Sequence, residues 1–484
     1  MIEAPKAVRL CFEQMTEKRP SESLQLKRIK GNYYVHSVTS EWDTTRKRAV
    51  KLSEHIGRIT PDGVFVAKSD TGIHESGREV LEYGNAALAQ ALLSDVETIM
   101  KERDVPHYEE LIACAMIRAI SPSPIRLLES SWEKLYSSRT MRVDLSPRSV
   151  SEILADAGRH VSRWYDLFSR LAGEDGGMLL YDLTTIFTYS QSMKLAEKGY
   201  NPDWEYIDQM GVMMAFSCRD SVPVGVDVSY GSVKDITTIR DFLERLPEKA
   251  RKNVGFILDR GFTSFGLLDD FRKDEIRYVV PLKKNSKLLL RGLDGVRWRG
   301  TFLYRDRPIR WATAESEYGT THLFEDPQLK GEEETALLRR VNKRRMSMRE
   351  FEERERVAGV IGIVSDMDVK APRMYDLYKG REDVELAFDA LKNTLDSDKT
   401  YLRSEESVRG FFLVSFLAMR IYFKILKRLR ERKLTSRVSV EEVLFELSKV
   451  ERIVEQRTRR EYYASIPKKA RGMLSLFSDV VPMG

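Results

Sequence analysis

The chain has 484 residues, 42% hydrophobic and 32% charged, with 80 basic against 74 acidic side chains and a net charge of +6. That length predicts two or three domains, and the composition excludes a disordered chain. Cys11, Cys114 and Cys218 lie about a hundred residues apart with no Cys-x-x-Cys pair, which excludes a disulfide framework and a zinc ribbon and points to a reducing cytosol. The opening "MIEAPKAVRLCFEQM" has no continuous apolar region or cleavage site, so no secretory signal is read.

In chain order, residues 1–75 are mixed: "GNYYVHSVTSEWD" alternates as a strand does, and "RITPDGVFVAKS" reads as a strand after a turn. Residues 76–175 are predicted helical, with strong helix formers in "GNAALAQALLSDVETIMKERD" and a Ser-Pro start signal before "RSVSEILADAGRHVSRWYDLFSRLAG". Arg148, Arg159, His160, Arg163 and Arg170 make this stretch basic, either as a solvated helix face or as a DNA-contacting one. From 176 to 284 the predicted order is β-β-β-α-β-α-β: "MLLYDLTTIFTYS", two strands joined by the turn "CRDSVP", the helix "KDITTIRDFLERLPEKARKN", the buried strand "VGFILDRG", the helix "SFGLLDDFRKDE" and the strand "IRYVVPLKK". Residues 285–357 break that pattern with a meander of strands and then one highly charged helix, "LLRRVNKRRMSMREFEERERV". Its basic run at Arg339, Arg340, Lys343, Arg344 and Arg345 faces Glu350, Glu352, Glu353 and Glu355, so it reads equally as a self-neutralising helix or as a DNA clamp. The last stretch, 358–484, opens with the apolar strand "AGVIGIVSD". It continues with one amphipathic helix from Met374 and an apolar helix over 408–430, and closes with a cap that reads as strand-free or weakly structured. Arg420 interrupts the apolar helix, whose unbroken part is far short of the roughly 20 residues a bilayer needs; it reads as a buried helix, not a membrane span.

The amphipathic helix carries Tyr378, Arg381, Glu385 and Lys392. At about 100° per residue these four fall within about 60° of one another. Leu377, Val384, Ala387, Phe388, Leu391 and Leu395 form the adjacent apolar stripe. Taken alone, Arg381 and Glu385 are an i,i+4 ion pair on a wet face. Two further acids alter that reading: Asp182 follows "MLL" in one predicted strand and Asp259 follows "GFIL" in another. Each alone reads as a strand-end or helix-capping acid. A carboxylate in such surroundings is costly unless it is paired or binds a metal. Two strand-borne aspartates and a helix-borne glutamate, with no Cys or His nearby, make an all-oxygen donor set suited to Mg²⁺.

The residues around these acids resemble the DDE transposases of prokaryotic insertion sequences, in the subgroup with a Tyr-x2-Arg-x3-Glu-x6-Lys motif. That motif stands here as Tyr378, Arg381, Glu385 and Lys392; "YDLTT" carries Asp182 and "LDRG" carries Asp259. The resemblance covers about residues 176–430. It implies an α/β fold with an RNase H-like mixed sheet flanked by helices, interrupted by a β-rich insertion and preceded by a mainly helical DNA-binding region. It implies that Asp182, Asp259 and Glu385 bind two Mg²⁺ ions, for which Mn²⁺ substitutes, while Tyr378, Arg381 and Lys392 hold DNA phosphates. The partners it implies are double-stranded DNA, both terminal inverted repeats and target, and a second copy of the chain in the synaptic complex. The compartment it implies is the cytoplasm of a prokaryote, at the nucleoid. An RNase H-like nuclease that cuts without joining, and a catalytically silent regulator derived from a transposase, are the alternatives. Arg260, beside Asp259, reads either as a carboxylate partner or as a DNA contact.

Overall fold

The computed structural model describes residues 4–20, 23–29, 31–43, 48–68, 78–172, 177–188, 193–198, 208–232, 235–394, 399–400, 402, 404–455, 458 and 460–481. Two compact units emerge, one of residues 1–79 with 455–459 and one of residues 80–454 with 460–484. In the first, an antiparallel sheet runs β1 (Leu24–Ile29), β2 (Asn32–Asp43), β3 (Arg48–Ile59) and β4 (Phe65–Ala67). The alternation that predicts β2 buries Tyr33 and Val35 with Ile59 against Val8 of the helix Lys6–Lys18.

The second unit follows β5 (Arg78–Glu82) with helices that include Tyr108–Ile120, Pro147–Arg159 and Val161–Ala172. Ser146 caps the second of these, its side chain accepting from the Ser149 N–H with Pro147 at the first turn, as the Ser-Pro signal predicts. Then come β6 (Met178–Thr188), β7 (Gln209–Ser217), β8 (Val222–Tyr230), β9 (Gly255–Ile257) and β10 (Arg277–Pro281). These lie in the order β8-β7-β6-β9-β10: β6, β7 and β8 pair antiparallel, whereas β9 pairs parallel with both β6 and β10. The second unit is thus of the mixed α/β class, a large mixed sheet with helices.

The strands β11 (Gly300–Tyr304), β12 (Arg307–Ser316) and β13 (Gly319–Glu325) form the predicted meander but not a separate sheet. β14 (Val360–Ser365) pairs with β13 on one edge and with β10 on the other, so the meander continues the central sheet. β15 (Lys399–Thr400) adds to β6. The closing segment is not strand-free: β16 (Glu451–Glu455) lies between β17 (Glu461–Tyr463) and β5 in a small three-stranded sheet.

Several predicted helices are interrupted. Pro247 ends the helix Asp235–Arg245 and starts Glu248–Asn253, because proline has no N–H to continue the ladder. The charged helix becomes Pro327–Asn342 and Met348–Glu355. Arg344 adopts a left-handed φ of 54°, and Ser347 with Glu350 forms a reciprocal capping box that restarts the helix. The helix bearing the four-residue motif is also divided, as described below.

The long helix Glu405–Glu431 lies at the centre of the unit, with Phe412, Phe416 and Phe423 buried. Arg420 is tolerated inside because its guanidinium donates to Asp95 at 2.7 Å and to the carbonyl of Pro223. Against this helix packs Pro147–Arg159, and two glycines permit the close approach. A Cβ on Gly158 would fall 1.9 Å from the Glu406 carbonyl oxygen, and one on Gly410 would fall 2.0 Å from that of Leu154. Gly158→Ala and Gly410→Ala are each expected to lower the unfolding free energy by about 3 kcal/mol, since backbone rather than a flexible side chain must move. Urea unfolding followed by circular dichroism measures this; two variants as stable as the parent would show that the crossing is looser than described.

Candidate active site

Asp182 lies in the middle of β6, opposite Met214 of β7. Its aspartate neighbour is set by register. β6 and β9 run parallel with Leu180 beside Ile257 as the last pair, and Asp182 and Asp259 each lie two residues beyond it, close enough for the charge of Asp259 to bear on Asp182. Because side chains alternate, both then project from the same face as Leu180 and Ile257, on chains spaced by about 4.8 Å. Asp259 is just past the end of β9, where the backbone turns into the short helix Arg260–Phe262.

The third acid arrives on a divided helix. Ala371–Lys379 stops, Glu382–Asp389 starts, and a π turn follows over Ala390–Thr394. The division is at Gly380, a weak helix former, where the ladder tightens to i→i−3 bonds: Arg381 N to Tyr378 O, Asp383 N to Gly380 O and Val384 N to Arg381 O. Val384, Ala387, Phe388 and Leu391 are buried as the predicted stripe requires, Leu377 is partly so, and Leu395 lies outside the described residues. The second segment packs on β6. Two ion pairs orient it: Glu382 with Arg305 of the β11–β12 turn at 2.9 Å, and Asp383 with Arg430 of the long helix at 2.7 Å.

Arg381, at the junction, joins the acids. Its Nη1 donates to Asp259 Oδ1, and its Nη2 donates to Glu385 Oε1 at 2.6 Å. The ion pair foreseen on a wet helix face therefore reaches across to the sheet as well. Arg381 is 20% exposed, Asp259 35% and Glu385 57%, so the cation is shielded while the acids still face solvent. Burial pulls the Arg381 pKa down, but the bond to Glu385 and the charge of Asp259 outweigh it and raise the value on balance. Burial is likewise the largest influence on Asp182 and pushes its carboxyl up to about 7. Asp259 and Glu385 push the same way, while the bond from the Leu183 N–H and the charge of Arg381 oppose them.

The other motif residues are dispersed. Tyr378 is buried near Arg381, and Lys392 is half-buried in the π turn, so the four do not share one continuous helical face. Arg260 is exposed and makes no ion pair among the described residues. Of the basic residues at 148–170, Arg148, Arg159 and Arg170 pair with acids, and Arg163 is exposed. Sequence reasoning passed over Asp227, the acid in "VGVDVSY". It is clamped by Arg245, by the Tyr165 hydroxyl at 2.5 Å and by Arg409 Nη1 at 2.8 Å, which ties three helices to β8. An acid between valines in a strand was the available signal.

The donor set is chemically suited to a hard divalent cation, but among the described residues no three acids, histidines or cysteines stand ready to grip one. Arg381 occupies one oxygen of Asp259 and one of Glu385. An acid with a raised pKa binds its proton more tightly folded than unfolded, so Asp182 costs stability as pH rises from its ordinary 3.8 to about 7. In buffer free of divalent ions, Asp182→Asn should therefore gain about 2 kcal/mol over the parent at pH 8, after discounting for partial exposure. The gain should vanish below pH 4. Denaturant melts across that range measure it, and a gain independent of pH would rule out charge as its origin.

Residues 175–421, just over half of the chain, match the family described as "Transposase DDE domain". A solved structure, the piggyBac transposase synaptic complex with hairpin DNA, matches with a TM-score of 0.38 and 12% identity, over 83% of this chain and 86% of that one. No curated protein matches the chain.

Proposed function

We propose, from the premise that this chain belongs to the DDE transposase family, that it binds the terminal inverted repeats of an insertion sequence, cleaves phosphodiester bonds at the element's ends and joins them to target DNA. Membership in the family implies polynucleotidyl transfer, and DDE transposases typically use divalent metal ions. The single observation that supports the reading best is the register of β6 with β9, which brings Asp182 close to Asp259 while Arg381 links Asp259 to Glu385.

Asp182, Asp259 and Glu385 are the residues that would hold Mg²⁺, or Mn²⁺ in its place. A pair of such ions would supply an activated attacking oxygen and charge stabilisation for the leaving one. Arg381 and Lys392 are positioned in sequence to hold DNA phosphates, Arg381 through a planar fork that matches a phosphodiester. Tyr378, being buried, would act by supporting Arg381 rather than by meeting DNA itself. Binding of the repeats falls to residues 76–175, and synapsis of two ends calls for at least two copies of the chain. The reaction would take place at the nucleoid of a prokaryotic cytoplasm.

The substrate for the test is a duplex made from the DNA that flanks the gene, searched for short inverted repeats. Glu385→Ala should reduce Mg²⁺-dependent cleavage of that duplex by roughly 10³-fold or more, with the repeat still retarded in a gel. Cleavage that survives the substitution would remove Glu385 from the chemistry. Pre-cleaved ends that the parent protein never joins to target DNA would reduce the activity to that of a nuclease.

A further inference from the structure

Arg381 spends both arms of its guanidinium on carboxylates, one on the sheet and one on the helix. Asp182 lies within reach of the same charge. One cation thus neutralises the cluster from within. A divalent ion would seek the same carboxylates and meet competition there: the oxygen of each that faces Arg381 already accepts a charge-assisted bond, and cations brought close together repel. Two cations on or beside the same helix segment are already committed, Arg305 to Glu382 and Arg430 to Asp383.

We infer that Arg381 is an internal counter-ion that makes the affinity for divalent cations conditional on DNA. The inference rests on the reading above, in which Asp182, Asp259 and Glu385 are the metal ligands. Away from DNA, the guanidinium competes with the cation for Asp259 and Glu385. A phosphodiester laid beside the site offers that guanidinium another anionic, bidentate acceptor. As the fork turns to the phosphate, the carboxylates are released to the cation. Linkage requires the converse: bound cation strengthens DNA binding by the same factor. Cation binding is thereby concentrated on chains already seated on DNA.

The test is a Mn²⁺ titration of the full chain, followed by the electron paramagnetic resonance signal of free Mn²⁺, with and without a short duplex of arbitrary sequence and corrected for the duplex alone. Without DNA, Arg381→Met should bind Mn²⁺ about tenfold more tightly than the parent. The duplex should raise the affinity of the parent and leave that of the variant unchanged. Should Arg381→Met prove misfolded by circular dichroism, Arg381→Lys makes the same comparison with a smaller gain, because an ammonium can meet only one of the two acids closely. An Arg381 variant that binds Mn²⁺ no tighter than the parent overturns the inference, and so does a duplex that raises both affinities equally. Asp182→Asn separates the two levels of the argument. If it loses Mn²⁺ while the Arg381 variants gain nothing, only the counter-ion role falls. If it binds Mn²⁺ as well as the parent does, the assignment of the ligands falls with it.

Discussion

Carboxylates gathered at the edge of a protein interior must find positive charge, and here that charge is Arg381. Its two bonds join the end of β9 to the helix Glu382–Asp389, elements separated by more than a hundred residues of chain. Without it, Asp182 would face Asp259 and Glu385 with only one backbone N–H in opposition. The raised pKa of Asp182 comes first from burial and then from its acidic neighbours, a perturbation of the kind that clusters at functional sites.

The surrounding scaffold keeps these groups in place by contacts that have nothing to do with the acids. Gly158 and Gly410 let two helices cross with backbone against backbone, a fit that no side chain permits. Asp227 gathers Tyr165, Arg245 and Arg409 onto β8. Arg305 and Arg430 then fix the orientation of the short segment that carries Glu385. The meander β11–β13 matters in this respect too: continuous with the central sheet, it brings the turn holding Arg305 alongside that segment.

Much of this was legible in the residues. The β-β-β-α-β-α-β order over 176–284 follows from apolar runs, turn residues and helix signals, all of them local, and it is what the structure contains. The apolar stripe through Val384, Ala387 and Phe388 was equally plain. Helix continuity was read less well. Periodicity ran on through Gly380 and through "VNKRRMS", but a weak helix former in one case, and a left-handed residue followed by a capping box in the other, ended the ladder. The meander was visible as strands, yet its partner was not, since edge-to-edge pairing with β14 depends on residues distant in sequence.

By itself the sequence determined on what kind of element each candidate residue stands, because hydrophobic period, proline, glycine and capping residues act over a few positions. The Tyr-Arg-Glu-Lys spacing and the strand-borne aspartates were read at that range. Only the tertiary structure decided that Asp259 comes close to Asp182, that Arg381 reaches back to the sheet, and that Tyr378 is buried while Glu385 is not. Those outcomes depend on strand register and on two helix breaks that alter the direction of a face. Both are settled by packing between segments that are remote along the chain.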